Sequence, residues 1–90
     1  RNMAHNVLAT CLLAKYTIQQ QIIIKIATVF GDEFDINFLY KVLPRSLRTN
    51  LTRTLSIFVH DGLIYRLNYY RYRFQNGLLK NALYDLMAER

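Results

Sequence analysis

The chain is poor in several residues that enzymes and secreted domains depend on, and each shortage removes a class of function. Cys11 is the only cysteine, so neither an internal disulfide nor a cysteine-built metal cluster can form, and the chain suits a reducing compartment. Its three glycines, Gly31, Gly62 and Gly77, are isolated, whereas a loop that cradles ATP phosphates needs clustered glycines and a lysine opening a helix. His5 and His60 lack a second His, Cys or carboxylate three or four positions away, so they read as surface or packing residues rather than metal ligands. No Ser/His/Asp or Cys/His grouping offers a nucleophile. The longest apolar stretches, residues 7–14 and 22–30, are interrupted by Thr10 and by Lys25 with Thr28, and both fall well short of a membrane span of roughly 20 residues. A secretion signal is also missing. The chain is therefore expected to hold no catalytic, cofactor or metal residue and no membrane partner, and to be cytoplasmic, or nuclear if it binds DNA.

What is present argues for a folded module. Hydrophobic residues make up 52% of the 90 positions and charged residues 20%, far from a disordered composition, and a chain this short closes around one core. Arg1 is not an initiator methionine and the final helical pattern runs into Arg90 without a stop, which reads as a piece of a longer protein. Twelve Lys/Arg against six Asp/Glu leave a net charge of +6, enough to attract phosphates or an acidic protein surface without choosing between them.

Periodicity divides the chain into helices and a hairpin. Met3, Ala4, Val7, Leu8, Cys11 and Leu12 mark one face of a lead-in helix, with Cys11 as a small core residue. Thr17 and Gln20 fit a capping box, and the stripe Ile22, Ile23, Ile26, Ala27 and Phe30 predicts a second helix over 18–30, closed by Gly31, with Thr28 on the wet face. Asp35 caps a short third helix carrying Ile36, Leu39, Val42 and Leu43, which Pro44 ends. Leu47, Leu51, Leu55 and Phe58 predict a fourth helix over 47–60, stopped by Asp61-Gly62. The period then becomes two. Leu63, Tyr65 and Leu67, then Tyr70, Tyr72 and Phe74, predict two strands joined near Asn68-Tyr69. Asn76 caps a last helix with Leu78, Leu79, Ala82, Leu83 and Leu86 on one face. Helix, short helix, longer helix and hairpin make a mostly α, winged-helix-like bundle with flanking helices. Residues 1–16 are the lead-in, 17–75 the winged-helix domain and 76–90 the start of a following helical module.

Candidate binding residues follow from this layout. In the hairpin, Arg66, Arg71 and Arg73 alternate with Tyr70, Tyr72 and Phe74, which predicts an aromatic face on the bundle and a cationic face able to meet phosphates. The same alternation also follows from one buried and one wet face, with arginine serving solubility and edge protection. Along the fourth helix Arg48, Thr49, Asn50, Thr52, Arg53, Ser56 and His60 form the exposed side; it is less basic than a base-reading helix normally is, and fits an ordinary solvated face. The acids Asp32, Glu33 and Asp35 read as loop residues around a helix cap rather than as an acid/base pair. Tyr84 lies off the last apolar stripe, which suggests a contact outside the chain or a simple exposed aromatic.

Two segments carry a family resemblance. The run "QQQIIIKIATVFGDEF" with "LYKVLP" at 39–44 resembles the segment after the ATPase module of STAND-class signalling ATPases, where an Ala-x-x-x-Gly-x-x-Phe pattern is matched by Ala27, Gly31 and Phe34. "YRFQNGLLKNALYDLMAER" is similar to the stretch entering that family's helical repeats, with Phe74, Leu79, Leu83, Tyr84, Leu86 and Arg90 at matching places. Within the class, the group with soluble, bicarbonate-responsive adenylyl cyclases is the most similar. Two departures stand out: Lys15-Tyr16-Thr17-Ile18 replaces an Asp-x-Leu-Ser type cap, and Leu83 replaces the Ala of an Ala-Tyr pair. The resemblance implies a regulatory winged helix in cAMP signalling whose partners are other domains of its own polypeptide, the ATPase module and the helical repeats. ATP and a divalent metal would belong to the parent chain. The alternative is a DNA-binding winged helix using the Arg-rich hairpin and the 47–60 helix, and Arg66, Arg71, Arg73, Arg53 and Tyr84 are the residues expected at the binding surface.

Overall fold

Thr17 and Gln20 satisfy each other's backbone. The Gln20 N–H donates to Thr17 Oγ1 at 3.1 Å and the Thr17 N–H donates to Gln20 Oε1 at 3.0 Å, the capping box expected from the sequence. This cap opens α2 (Ile18–Ala27) in a computed structural model of the chain, which describes the backbone of residues 3–88 and the side chains of residues 7–87. Met3, Ala4 and His5 at one end, and Arg90 at the other, lie outside the residues whose side chains are described. Before α2 comes α1 (Met3–Leu13). After it come a 3-10 turn (Thr28–Phe30), β1 (Glu33–Asp35), α3 (Ile36–Val42), a second 3-10 turn (Arg45–Leu47), α4 (Leu51–His60), β2 (Ile64–Arg66), β3 (Arg71–Phe74) and α5 (Gly77–Ala88).

Several boundaries differ from the sequence reading. The second helix tightens at Thr28 instead of running to Phe30. Thr28, assigned to the wet face, is buried, and its hydroxyl donates to the Lys25 carbonyl, which removes the cost of enclosing a polar group. Gly31 ends this turn at φ +100°, a conformation that side chains with a Cβ rarely adopt. The fourth helix begins at Leu51, four residues later than predicted. Asn50 sits at φ −116°, ψ 33°, outside helical space, and the Arg48 guanidinium folds back to donate to the Leu43 and Lys41 carbonyls. Val42 is exposed.

The loop of acids contains a strand. β1 pairs antiparallel with β3 in the register Glu33 to Arg73, Phe34 to Tyr72 and Asp35 to Arg71, and β2 pairs with the other edge of β3. Three residues are too few to show alternation, so no periodic signal could mark β1. The strand order is β1-β3-β2, so the chain is mostly helical with one small three-stranded antiparallel sheet.

Phe34 joins sheet to helices. Its ring stacks on Tyr72 at 5.6 Å and meets Phe74 at 5.7 Å, and all three belong to one buried cluster with Ile24, Leu39, Leu55 and Phe58. The flanking helices share that cluster through Ala9 and Leu13 of α1 and Ala82 and Leu83 of α5. The predicted stripe of α1 is thus corrected. Ala9 and Leu13 face inward, whereas Val7, Leu8 and Cys11 are exposed. Eight of the eleven positions of α1 are apolar, so its sequence supports more than one stripe, and packing against α5 selects the one used. On α5 Leu79, Ala82, Leu83 and Leu86 face the core, and Asn76 Oδ1 accepts the Leu79 N–H as the expected cap. Leu78 faces out.

Tyr16 closes the connection between α1 and α2. Its ring meets Phe58 edge-on at 5.2 Å, and its hydroxyl donates to Asp61 Oδ2 at 2.7 Å. Burial first, then the bond to Asp61 and its charge, push the Tyr16 phenol well above its ordinary value. With the folded value raised, this contribution is complete below the ordinary tyrosine value of 10.0 and fades as pH rises through the folded value. Tyr16→Phe should keep the ring contact and lose about 1–2 kcal/mol of stability in denaturant unfolding, together with much of the fall in stability above that pH. Phe34→Ala should cost about 3–5 kcal/mol by the same measurement, the usual range for emptying a core aromatic site.

Candidate functional site

The hairpin turns without the Asn-Gly pair that usually makes a tight connection. Asn68 Oδ1 instead accepts the backbone N–H groups of Tyr70 and Arg71, and Arg66 donates to the carbonyls of Asn68 and Tyr69. These side chains hold residues 67–70 as a four-residue loop in which no residue takes a positive φ. The Ile36 N–H donates to the Tyr70 carbonyl at 2.7 Å, tying the loop to the start of α3.

The register divides the three hairpin arginines. Residues directly opposite across an antiparallel pair share a face, so Glu33, Arg73 and Tyr65 lie on one face with Asp35 and Arg71. Arg66, opposite Tyr72, lies on the other, at its end. The single cationic face expected of Arg66, Arg71 and Arg73 is therefore not formed. The outer pair is also ion-paired. Arg71 and Arg73 each reach one Glu33 oxygen at 2.8 Å, so one carboxylate bridges two guanidinium groups. Hydrogen bonds from Arg71 and then Arg73 hold the Glu33 carboxyl below the ordinary range, and the Glu33 bond raises Arg71.

Arg66 joins a different set of cations. A groove of about 1040 Å³ runs between α3, the segment 45–53 and the hairpin, lined by Arg45, Arg48, Arg53 and Arg66 with Asn37, Thr49, Asn50, Thr52 and three tyrosines, Tyr40, Tyr69 and Tyr72. Among the described residues no carboxylate lines it. The Arg48 guanidinium stacks over the Tyr40 ring at 5.0 Å, and that of Arg66 lies 5.8 Å from the Tyr69 ring. Arg45 and Arg53 are exposed, and their side chains make no hydrogen bond or ion pair among the described residues. Tyr69, at the hairpin tip, is 85% exposed. Arg53, expected at the surface, is thus in this groove. Arg45, Tyr40 and Tyr69 were not legible as its members, because no periodicity connects residues that meet only through the chain's return.

A second surface lies on the flanking helices. Leu8, Ala9, Leu12, Asn76, Leu78, Leu79 and Ala82 line an apolar cleft of about 460 Å³. At its rim Leu8 is 68% and Leu78 65% exposed. Val7 on α1 and Tyr84 on α5 are also exposed, 56% and 43%. Tyr84 is not brought to the arginine groove.

Among the described residues no group of three or more His, Cys, Asp or Glu could hold a metal ion, and no helix is long and apolar enough to cross a membrane. Comparisons with protein-family models, curated proteins and solved structures found no match.

The Glu33 bridge gives a pH test. Its folded value is depressed, so its contribution is present above the ordinary glutamate value of 4.5 and is lost as pH falls through the folded value. Chemical denaturation from neutral pH into that acid range should show stability falling, and Glu33→Gln should flatten this part of the profile; an unaltered slope would assign the acid sensitivity to another carboxylate.

Proposed function

We propose that the chain is a non-catalytic regulatory module that docks on other domains of its own polypeptide, in a soluble adenylyl-cyclase-like STAND ATPase. The observation that carries this reading is the uncovered apolar cleft between α1 and α5, with Leu8 and Leu78 at its rim. A helix with apolar residues on more than one face normally encloses them, yet α1 leaves Val7, Leu8 and Cys11 in solvent. Exposed leucines beside a cleft are the ordinary mark of a docking surface.

The family resemblance adds the identity of the partner. Each residue of its first pattern serves the fold. Ala27 is fully enclosed, Gly31 takes a positive φ and Phe34 is the aromatic link between sheet and helices. Phe74, Leu79 and Leu83 of the second pattern face the core, and Tyr84 remains outward, available to the helical repeats that the resemblance implies. In this reading the ATPase module binds nucleotide and metal, and the present chain transmits the change in docking.

The test supplies the parent's ATPase module in trans and measures binding calorimetrically with ATP, with ADP and without nucleotide. Binding that depends on nucleotide is expected. Leu8→Asp and Leu78→Asp, both at exposed positions, should abolish it while leaving the circular dichroism spectrum unchanged. No binding in any nucleotide state, or binding indifferent to both substitutions, would sink the proposal.

A further inference from the structure

We infer that the groove between α3, the segment 45–53 and the hairpin is a binding site for the phosphate backbone of duplex DNA, independent of the α1–α5 cleft, with which it shares no lining residue. Four arginines, Arg45, Arg48, Arg53 and Arg66, line this groove, and no carboxylate lines it among the described residues. The contrast with the outer face of the sheet is direct. There Glu33 pairs with both Arg71 and Arg73, whereas here no acid pairs with the cations among the described residues.

Two kinds of arginine share the work. Arg48 and Arg66 are fixed by backbone carbonyls and lie over tyrosine rings, so their positions are set before any ligand arrives. The side chains of Arg45 and Arg53 have no partner among the described residues and keep their donors for phosphate oxygens, to which the planar guanidinium fork is matched. Thr49, Asn50 and Thr52 bring neutral donors to the same wall. Phosphate-binding faces combine charged and neutral donors in this way.

The arrangement suits a duplex, whose two backbones present phosphates at separated positions. A helix displaying exposed polar side chains beside a hairpin tip offers two supports at different positions, which fits a ligand with a groove and flanking backbones. Tyr69 adds an exposed ring and hydroxyl at the tip.

The experiment titrates the chain into a fluorescent duplex of about 20 base pairs, starting at about 50 mM salt, with a single strand and polyglutamate as competitors. Binding is expected to weaken log-linearly with salt with a slope of about −3 to −4, as four phosphate contacts require. The double variant Arg45→Gln/Arg53→Gln should lose about tenfold or more in affinity and about 2 units of slope. Both positions are exposed and unpaired, so its denaturation midpoint should stay unchanged. The variant Arg71→Gln/Arg73→Gln removes the same formal charge elsewhere and should lose less. The inference is overturned by absent duplex binding at the lowest salt, by equal or better competition from the single strand or polyglutamate, or by an equal or larger loss from the second variant.

Discussion

Ninety residues close around one core, and every element of this chain has to contribute to it. Ala9 and Leu13 from α1, Ile24 from α2, Phe34 from β1, Leu55 and Phe58 from α4 and Leu83 from α5 meet in a single cluster. Each fully enclosed leucine or phenylalanine contributes about 1.5–3 kcal/mol, set against a conformational entropy loss of similar total size. A net stability this narrow leaves little room for independent parts. The sheet depends on the helices through Phe34, Tyr72 and Phe74, and the flanking helices depend on the same centre from the other end of the chain.

Electrostatics arranges the surface around that core. The six acids are outnumbered two to one by Lys and Arg, so where each carboxylate sits decides which cations remain open. Glu33 holds the outer face of the sheet, Asp61 accepts from Tyr16, Asp32 meets Lys80 and Asp35 caps α3. None of them lines the arginine groove. The charge excess is thus concentrated by subtraction rather than by a dense run of basic residues.

Local signals were legible in the sequence wherever the chemistry was local. The capping box at Thr17, the caps at Asp35 and Asn76, the stop at Gly62 and the change to a two-residue period after it all appear in the structure. What escaped was decided by packing at a distance. β1 exists because Phe34 has a place beside Tyr72, and three residues carry no period to announce it. The stripe read along α1 was the wrong one because apolar residues occupy more than one of its faces, and only the position of α5 chooses among them. Arg66, Arg71 and Arg73 looked equivalent as alternating positions, but the loop between β2 and β3 shifts the pairing so that Arg66 falls on the opposite face. Alternation within a strand is visible in sequence; the register between strands is set by the turn.

The bond from Tyr16 to Asp61 spans 45 positions and sets a minimum length on the folding unit. A chain trimmed to the six elements from α2 to β3 would leave the Asp61 carboxylate without its phenolic donor and Phe58 without its edge-on neighbour, and would open Leu83's place in the centre to water. The lead-in and closing helices are therefore structural members rather than spacers. Whatever seizes α1 from outside pulls, through a single aromatic residue, on the foot of the helix that borders the arginine groove.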